Sequence, residues 1–191
     1  MSQNTNVNTI TVYASSSPDI APVYFEAAKD LGERMAALGI TCINGAGNNG
    51  LMAAVTDAVL AKGGRVYGII PRFMIDKGWI HPDIQDLTVT SDMHTRKQIM
   101  ARESDACIAL PGGIGTLEEL LEIITWKQLS LYTNPVIILN TNGFYNSLLE
   151  LLQKIDAENF LPHKTADMWM VANTPEEALN LIFEQKKGSN K

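Results

Sequence analysis

Seven short apolar runs, most of them trailed by a segment of helical pattern, constrain this chain more than any other feature. The runs cover 9–14, 40–44, 65–70, 87–90, 106–110, 135–140 and 168–171. Helical patterns follow over 21–38, 51–62, 92–103 and 144–155. A further helix opens near Thr116 and runs through 120–129, and a last one is begun by Thr174-Pro175-Glu176-Glu177, where Thr suits the N-cap and Pro the first turn. Gly39 and the Gly63-Gly64 pair close two of these helices, and Pro71 stops the third strand. The strands are apolar almost throughout instead of alternating. Alternation of such strands with helices predicts an α/β fold: a mostly parallel sheet with helices on both faces. The stretch 72–86 carries no regular pattern and reads as irregular.

At 191 residues, 46% of them hydrophobic, the chain is long enough for one domain with a sizeable core. We expect that domain over 9–185, with residues 1–8 and 186–191 frayed. A net charge of −6 and a pI near 5.0 argue against nucleic acid as a partner. The polar N-terminus lacks a signal core, and no segment is long enough to span a bilayer, so no membrane partner is expected. Cys42 and Cys107 lie inside strands without CxxC spacing, which fits buried, reduced thiols in a cytoplasmic protein. His81, His94 and His163 are scattered and offer no metal-ligand spacing, and no cofactor is called for.

In a parallel sheet, ligands bind beyond the carboxyl ends of the strands. Four strand ends are rich in suitable residues: Ser15-Ser16-Ser17, the loop Asn44-Gly45-Ala46-Gly47-Asn48-Asn49-Gly50, Pro71-Arg72, and Pro111-Gly112-Gly113-Ile114-Gly115-Thr116. The last loop joins a buried strand to a helix. Its glycines let backbone N–H groups approach an anion at the positive end of the helix. Glu118 and Glu119 stand at the same place. Thr116 with Glu119 also reads as a capping box, Thr at the N-cap and Glu three residues on.

The loop 45–50 matches G-x-G-x-x-G, the dinucleotide fingerprint. That fingerprint needs an acid about twenty residues further on to hold the ribose hydroxyls. Here Ile70, Pro71 and Arg72 stand at that place. Close approach of the loop to a ligand or to the PGGIGT loop is the better reading, with a tight structural turn as the bland one. Met93, Arg96 and Lys97 share one side of the helix over 92–103, where Arg96 suits bidentate contact with phosphate or carboxylate and Lys97 offers a point charge. A solvated basic patch is the competing reading of that pair. His94 points away from it and reads as structural.

Together these motifs resemble the LONELY GUY family, cytokinin riboside 5′-monophosphate phosphoribohydrolases often mislabelled as lysine decarboxylases. PGGIGTLEE (111–119) resembles the family's PGGxGTxxE signature, MHTRK (93–97) its MHxRK segment, and NGAGNNGLM (44–52) its GGGxxGLM loop. The continuation Glu122-Ile123-Ile124-Thr125-Trp126 is also present. The resemblance runs over roughly 9–160. It implies a Rossmann-like, doubly wound domain, a homodimer with its site near the subunit interface, and a nucleoside monophosphate as substrate.

By the same resemblance, Arg96 and Glu119 fall on the catalytic pair. Gly112, Gly113, Gly115 and Thr116 fall on the phosphate loop, and Met93, Lys97 and Glu118 on substrate contacts. Ser15, Gly47, Ile114 and Thr125 complete the set expected to meet substrate. The second loop departs from the family pattern: it lacks the triple glycine, and Ala53 follows Met52 where glycine is common. The alternative to hydrolysis is a nucleotide or molybdopterin-type carrier that binds without turnover.

Overall fold

A computed structural model describes residues 7–161 and 168–188. The apolar runs become seven strands: β1 Thr9–Tyr13, β2 Thr41–Asn44, β3 Val66–Pro71, β4 Asp86–Thr90, β5 Ala106–Ala109, β6 Val136–Leu139 and β7 Met170–Ala172. They form one sheet in the order β4-β3-β2-β1-β5-β6-β7, with every neighbouring pair parallel. Among the described residues, seven α-helices alternate with them: α1 Pro22–Ala37, α2 Gly50–Ala61, α3 Arg72–Asp76, α4 Met93–Arg102, α5 Ile114–Gln128, α6 Asn146–Ala157 and α7 Pro175–Gly188.

The core lies in two layers, one on each face of the sheet. Ile10 and Val12 of β1 and Ile108 of β5 pack with Leu31 of α1, Val55 of α2 and Ile182 of α7. Tyr13 of β1 and Cys107 of β5 point the other way, toward Met100 of α4, Leu120 of α5 and Leu152 of α6. Burial on both faces is why the central strands are largely apolar, while β4, at the sheet edge, reads DLTVT and is only partly buried.

Several expectations need correction. The stretch 72–86 is not wholly irregular, since α3 fills its first five positions and β4 begins at Asp86. Order also reaches further toward both ends than residues 9–185. Val7 is buried in the core, the Asn8 N–H donates to Asp105 Oδ2 at 2.8 Å, and α7 continues to Gly188. His163 and the remaining residues expected to be frayed, 1–6 and 189–191, lie outside the described residues. At the start of α7 the expected cap is present: the Glu177 N–H donates to Thr174 Oγ1 at 3.2 Å.

Strand order reverses at β1, which has β2 on one side and β5 on the other. Loops leaving neighbouring strands diverge at such a point and open a crevice. The loops that leave β1 and β5 here are Ser15-Ser16-Ser17 and Pro111-Gly112-Gly113.

Candidate active site

The crevice is a cavity of about 570 Å³. Its polar lining includes Ser15, Ser16 and Ser17, the turn 113–116, Arg96 and Glu119. Its apolar lining comes from Met52, Ile70, Met74, Trp79 and Met93. Ser15, Gly47, Met93, Arg96, Gly113, Ile114, Gly115, Thr116, Glu118 and Glu119 were all expected at the site and all reach the cavity wall.

The capping box is not formed. Helix α5 starts two residues before Thr116, with Gly113 as its N-cap and no side-chain cap. Thr116 instead folds against Gly112, where an added Cβ would stand 2.1 Å from Thr116 Oγ1. Gly112 is therefore required by packing beneath the loop and lies outside the cavity lining. The first N–H groups of a helix have no partner within it. With no side chain capping α5, these donors and the helix dipole form an anion cradle in the cavity wall.

Helix α4 is capped by Asp92, whose Oδ1 accepts the Thr95 N–H at 2.8 Å, and it carries Arg96 under the sheet end. Arg96 is buried, 5% exposed. Its Nε donates to the Ile69 carbonyl at 3.1 Å, and its Nη1 lies 3.8 Å from Met93 Sδ and 3.2 Å from Glu119 Oε1. Glu119 is equally withdrawn, 7% exposed. Burial pushes its carboxyl above the ordinary range; Arg96 and Lys97 oppose the shift, while Glu118 and Glu122 add to it.

The second glycine loop serves this pair. A Cβ on Gly45 would lie 1.9 Å from Arg96 Nη2, so the guanidinium passes where only glycine leaves room. The Gly47 N–H meets Met52 Sδ at 3.0 Å. Gly50, at φ +63°, packs against the backbone of Ser15, Ser16 and Ser17 and ties the two mouth loops together. The loop's unusual backbone falls on Ala46, at φ 55°, and not on its asparagines. Ala46 is held there by its own N–H on Asn44 Oδ1 at 2.9 Å and by the His81 N–H on its carbonyl at 2.8 Å.

Besides Gly112, two further expected contacts are placed elsewhere. Thr125 faces out from α5 and its hydroxyl donates to the Leu121 carbonyl at 2.7 Å. Lys97 is buried against α5, where its Nζ pairs with Glu118 and with Glu122 Oε2 at 3.0 Å. His94 is exposed, whereas His81 is buried and bonded to Asp57 Oδ1 at 3.1 Å.

Met52, Ile70, Met74 and Trp79 were not among the expected contacts. Met74 belongs to α3 and Trp79 to the strap after it. That strap is fastened to the glycine loop: the Asn48 N–H donates to the Trp79 carbonyl at 3.0 Å, and Asn48 Nδ2 to the Gly78 carbonyl at 2.9 Å. Lys77 Nζ lies 4.8 Å from the Trp79 ring centroid and helps orient the indole. For the Met74–Trp79 side of this wall the sequence signal is an isolated Trp in a stretch without periodicity, whereas Met52 closes the 44–52 motif.

Residues 52–182 match the family model described as "Possible lysine decarboxylase". The chain is 40% identical over 182 residues to a cytokinin riboside 5′-monophosphate phosphoribohydrolase of Arabidopsis thaliana, covering 95% of this chain and 85% of that protein. A second Arabidopsis thaliana protein of the same name is 45% identical over 152 residues, 80% of this chain and 70% of the relative. Among solved structures, the molybdenum cofactor carrier protein of Chlamydomonas reinhardtii superposes with a TM-score of 0.72 over 96% of this chain and 99% of its own. At 21% identity that likeness concerns the fold alone.

Proposed function

We propose, from the premise that this chain belongs to the LONELY GUY family of cytokinin riboside 5′-monophosphate phosphoribohydrolases, that it hydrolyses the N-glycosidic bond of adenine-type nucleoside 5′-monophosphates to free base and ribose 5-phosphate. The observation that carries this reading is the buried Arg96–Glu119 pair in the wall of a cavity that also holds an uncapped helix N-terminus. Taking both charges out of water costs several kcal/mol per ion, about as much as their attraction returns. Apolar residues of similar volume would serve stability as well, so the pair has its rationale in chemistry.

In this reading the substrate phosphate lies on the N–H groups that open α5, and the base lies along Met52, Met74 and Trp79. Phosphate contacts far from the reacting bond then supply positioning energy at C1′. As the C1′–N bond breaks, positive charge grows on the ribose, and the Glu119 carboxylate stabilises it. Glu119 also takes a proton from the water that adds to C1′ and gives it up to solvent afterwards, while the departing base takes one from solvent. One water is consumed and Glu119 is regenerated. A carboxyl raised above its ordinary range is a better base for that step. Arg96 keeps Glu119 ionised and aimed. Ser15, Gly113, Gly115 and Thr116 serve as phosphate contacts, with Gly47, Met93, Ile114 and Glu118 completing the substrate wall.

A pyridoxal-dependent decarboxylase would need a lysine amine that readily loses its proton. Burial pulls Lys97 that way, but its bonds to Glu118 and Glu122 outweigh it and raise the ammonium above its ordinary value. A carrier that binds without turnover would have no use for a buried carboxylate at its ligand. We take the described residues, 7–161 and 168–188, as belonging to one hydrolase domain working as a homodimer with its site near the interface. The support is Ile114, 82% exposed at the cavity wall, with Leu121, Leu129 and Leu131 also exposed on and after α5. The free, buried thiols of Cys42 and Cys107 support a cytoplasmic setting. Among the described residues no helix is long and apolar enough to cross a membrane.

The test incubates purified protein with AMP and with isopentenyladenosine monophosphate and measures free base and ribose 5-phosphate. Wild type releases both products, and Glu119→Ala binds ribose 5-phosphate yet releases no base. Retained turnover in Glu119→Ala would sink the assignment, and nucleotide binding without any product would favour the carrier.

A further inference from the structure

We propose that Lys97 and Glu122 are positioning residues: Lys97, buried between Glu118 and Glu122, works as an electrostatic screen that keeps Glu119 ionised, with Glu122 as its anchor. The inference rests on the hydrolase reading above and gives a role to two residues that do not line the cavity. Glu118 and Glu122 are four residues apart on α5, where like charges repel across one turn. Lys97 reaches in from α4 and pairs with both, at 3.0 Å to Glu122 Oε2. The Lys97 side chain is only 6% exposed, while those of Glu122 and Glu118 are 26% and 52% exposed. Water therefore screens the Glu122 contact less than the Glu118 one.

Glu119 lies between the two acids in sequence and points to Arg96 at 3.2 Å. The charged groups around it are thus Arg96 and Lys97 on α4 and Glu118 and Glu122 on α5, with the neutral Tyr13 phenol of β1 also close enough to feel its charge. Arg96 is the direct ion-pair partner of Glu119. Without Lys97, two further carboxylates would press on a third that burial already makes reluctant to ionise. Lys97 turns that repulsion into a five-charge cluster with only one excess negative charge. It also holds Glu118, which lines the cavity, in place.

The signs of the consequences differ between variants, and a merely structural role would not produce that. Lys97→Met removes a positive charge near Glu119, so the acid limb of the kcat/KM profile moves up by about one pH unit. Turnover, depressed at pH 6, recovers toward wild type at pH 9. Glu122→Gln removes a negative charge and keeps the Lys97–Glu118 pair, so its acid limb moves down. Lys97→Arg keeps the limb at its wild-type position.

The experiment records kcat/KM from pH 4 to pH 10 for wild type and the three variants, with thermal unfolding alongside. Limbs that stay fixed, or that move the same way in Lys97→Met and Glu122→Gln, overturn the screen even if activity falls. Should wild type release no base at all, the hydrolase reading fails separately. The screen is then judged by the Glu119 titration itself, followed by carbon NMR of side-chain-labelled glutamate with Glu119→Gln for assignment. Opposite shifts in the two variants support it there, and equal or absent shifts overturn it.

Discussion

Gly45→Ala tests whether the glycine loop exists to admit the Arg96 guanidinium. The new methyl would stand 1.9 Å from Arg96 Nη2, 3.0 Å from its Cζ and 3.3 Å from Met52 Sδ. Gly45 does not have a positive φ, so alanine is not strained there by its own backbone. To restore ordinary contact the guanidinium must retreat by about 1.5 Å, because carbon and nitrogen need roughly 3.4 Å between them. A movement of that size breaks the 3.1 Å bond to the Ile69 carbonyl or the 3.2 Å approach to Glu119. Separating a buried ion pair costs about 3–5 kcal/mol when one partner is lost outright, and a displaced partner forfeits part of that. A misplacement of about 1 Å at a reacting centre lowers turnover by roughly 100-fold.

The assay is base release at saturating nucleotide, with a thermal melt of the same protein. We expect Gly45→Ala to lose about two orders of magnitude in kcat while it still folds. The decisive measurement is the double variant. In an Arg96→Ala background the methyl meets no guanidinium, so Gly45→Ala should cost almost nothing more, a strong departure from additivity. Wild-type turnover in Gly45→Ala would refute the reasoning, as would full additivity with Arg96→Ala.

Tyr145→Phe removes the 2.7 Å bond from the Tyr145 hydroxyl to the Leu110 carbonyl, just before the PGGIGT loop. Leaving that carbonyl without its donor should lower unfolding free energy by about 1–3 kcal/mol in a urea titration, and an unchanged midpoint would contradict it. Burial pushes the Cys42 thiol up to about 12 and raises that of Cys107 as well. Neither should react with a thiol reagent at pH 8 until denaturant is added, and fast labelling of the folded protein would count against this. Asp92 is held down from 3.8 to about 2 by bonds from the Ser91 hydroxyl and from Thr95. A depressed carboxyl stabilises the fold above its unfolded value and loses that contribution as pH falls. The stability gap between wild type and Asp92→Asn should therefore close between pH 3.8 and about 2, and a gap constant across that window would refute it.

The central strands β1, β2, β3, β5 and β6 are legible because they are largely apolar runs buried on both faces. The edge strands β4 and β7 are only partly buried, and β7 begins at Met170, two residues into the run at 168–171. The apolar runs 9–14 and 135–140 correspond to Thr9–Tyr13 and Val136–Leu139. Sequence reading failed where a local pattern had two physical solutions. Thr116 and Glu119 have capping-box spacing, yet Gly113 can take the N-cap conformation and start the helix earlier, which frees Thr116 to pack on Gly112. Helix α3, at five residues, is too short for its periodicity to be seen. Lys97 and Arg96 are adjacent cations in the sequence, and only tertiary packing sends one to the cavity and the other to α5. Residue types reveal which charges are present, and partners depend on contacts made across the sheet end.

The loop 45–50 makes the same point from the opposite side. Its spacing is that of a dinucleotide fingerprint, in which three glycines serve a tight turn, a pyrophosphate and helix–sheet packing. Here Gly45 yields to an arginine, Gly47 to a methionine sulfur and Gly50 to the backbone of Ser15–Ser17. One glycine spacing thus answers to two unrelated sets of neighbours. What separated them was a residue outside the loop: the end of β3 carries Pro71 and then Arg72, where a ribose-binding acid would stand. A glycine pattern states that something comes close, and the identity of that neighbour has to be sought in the elements that face it.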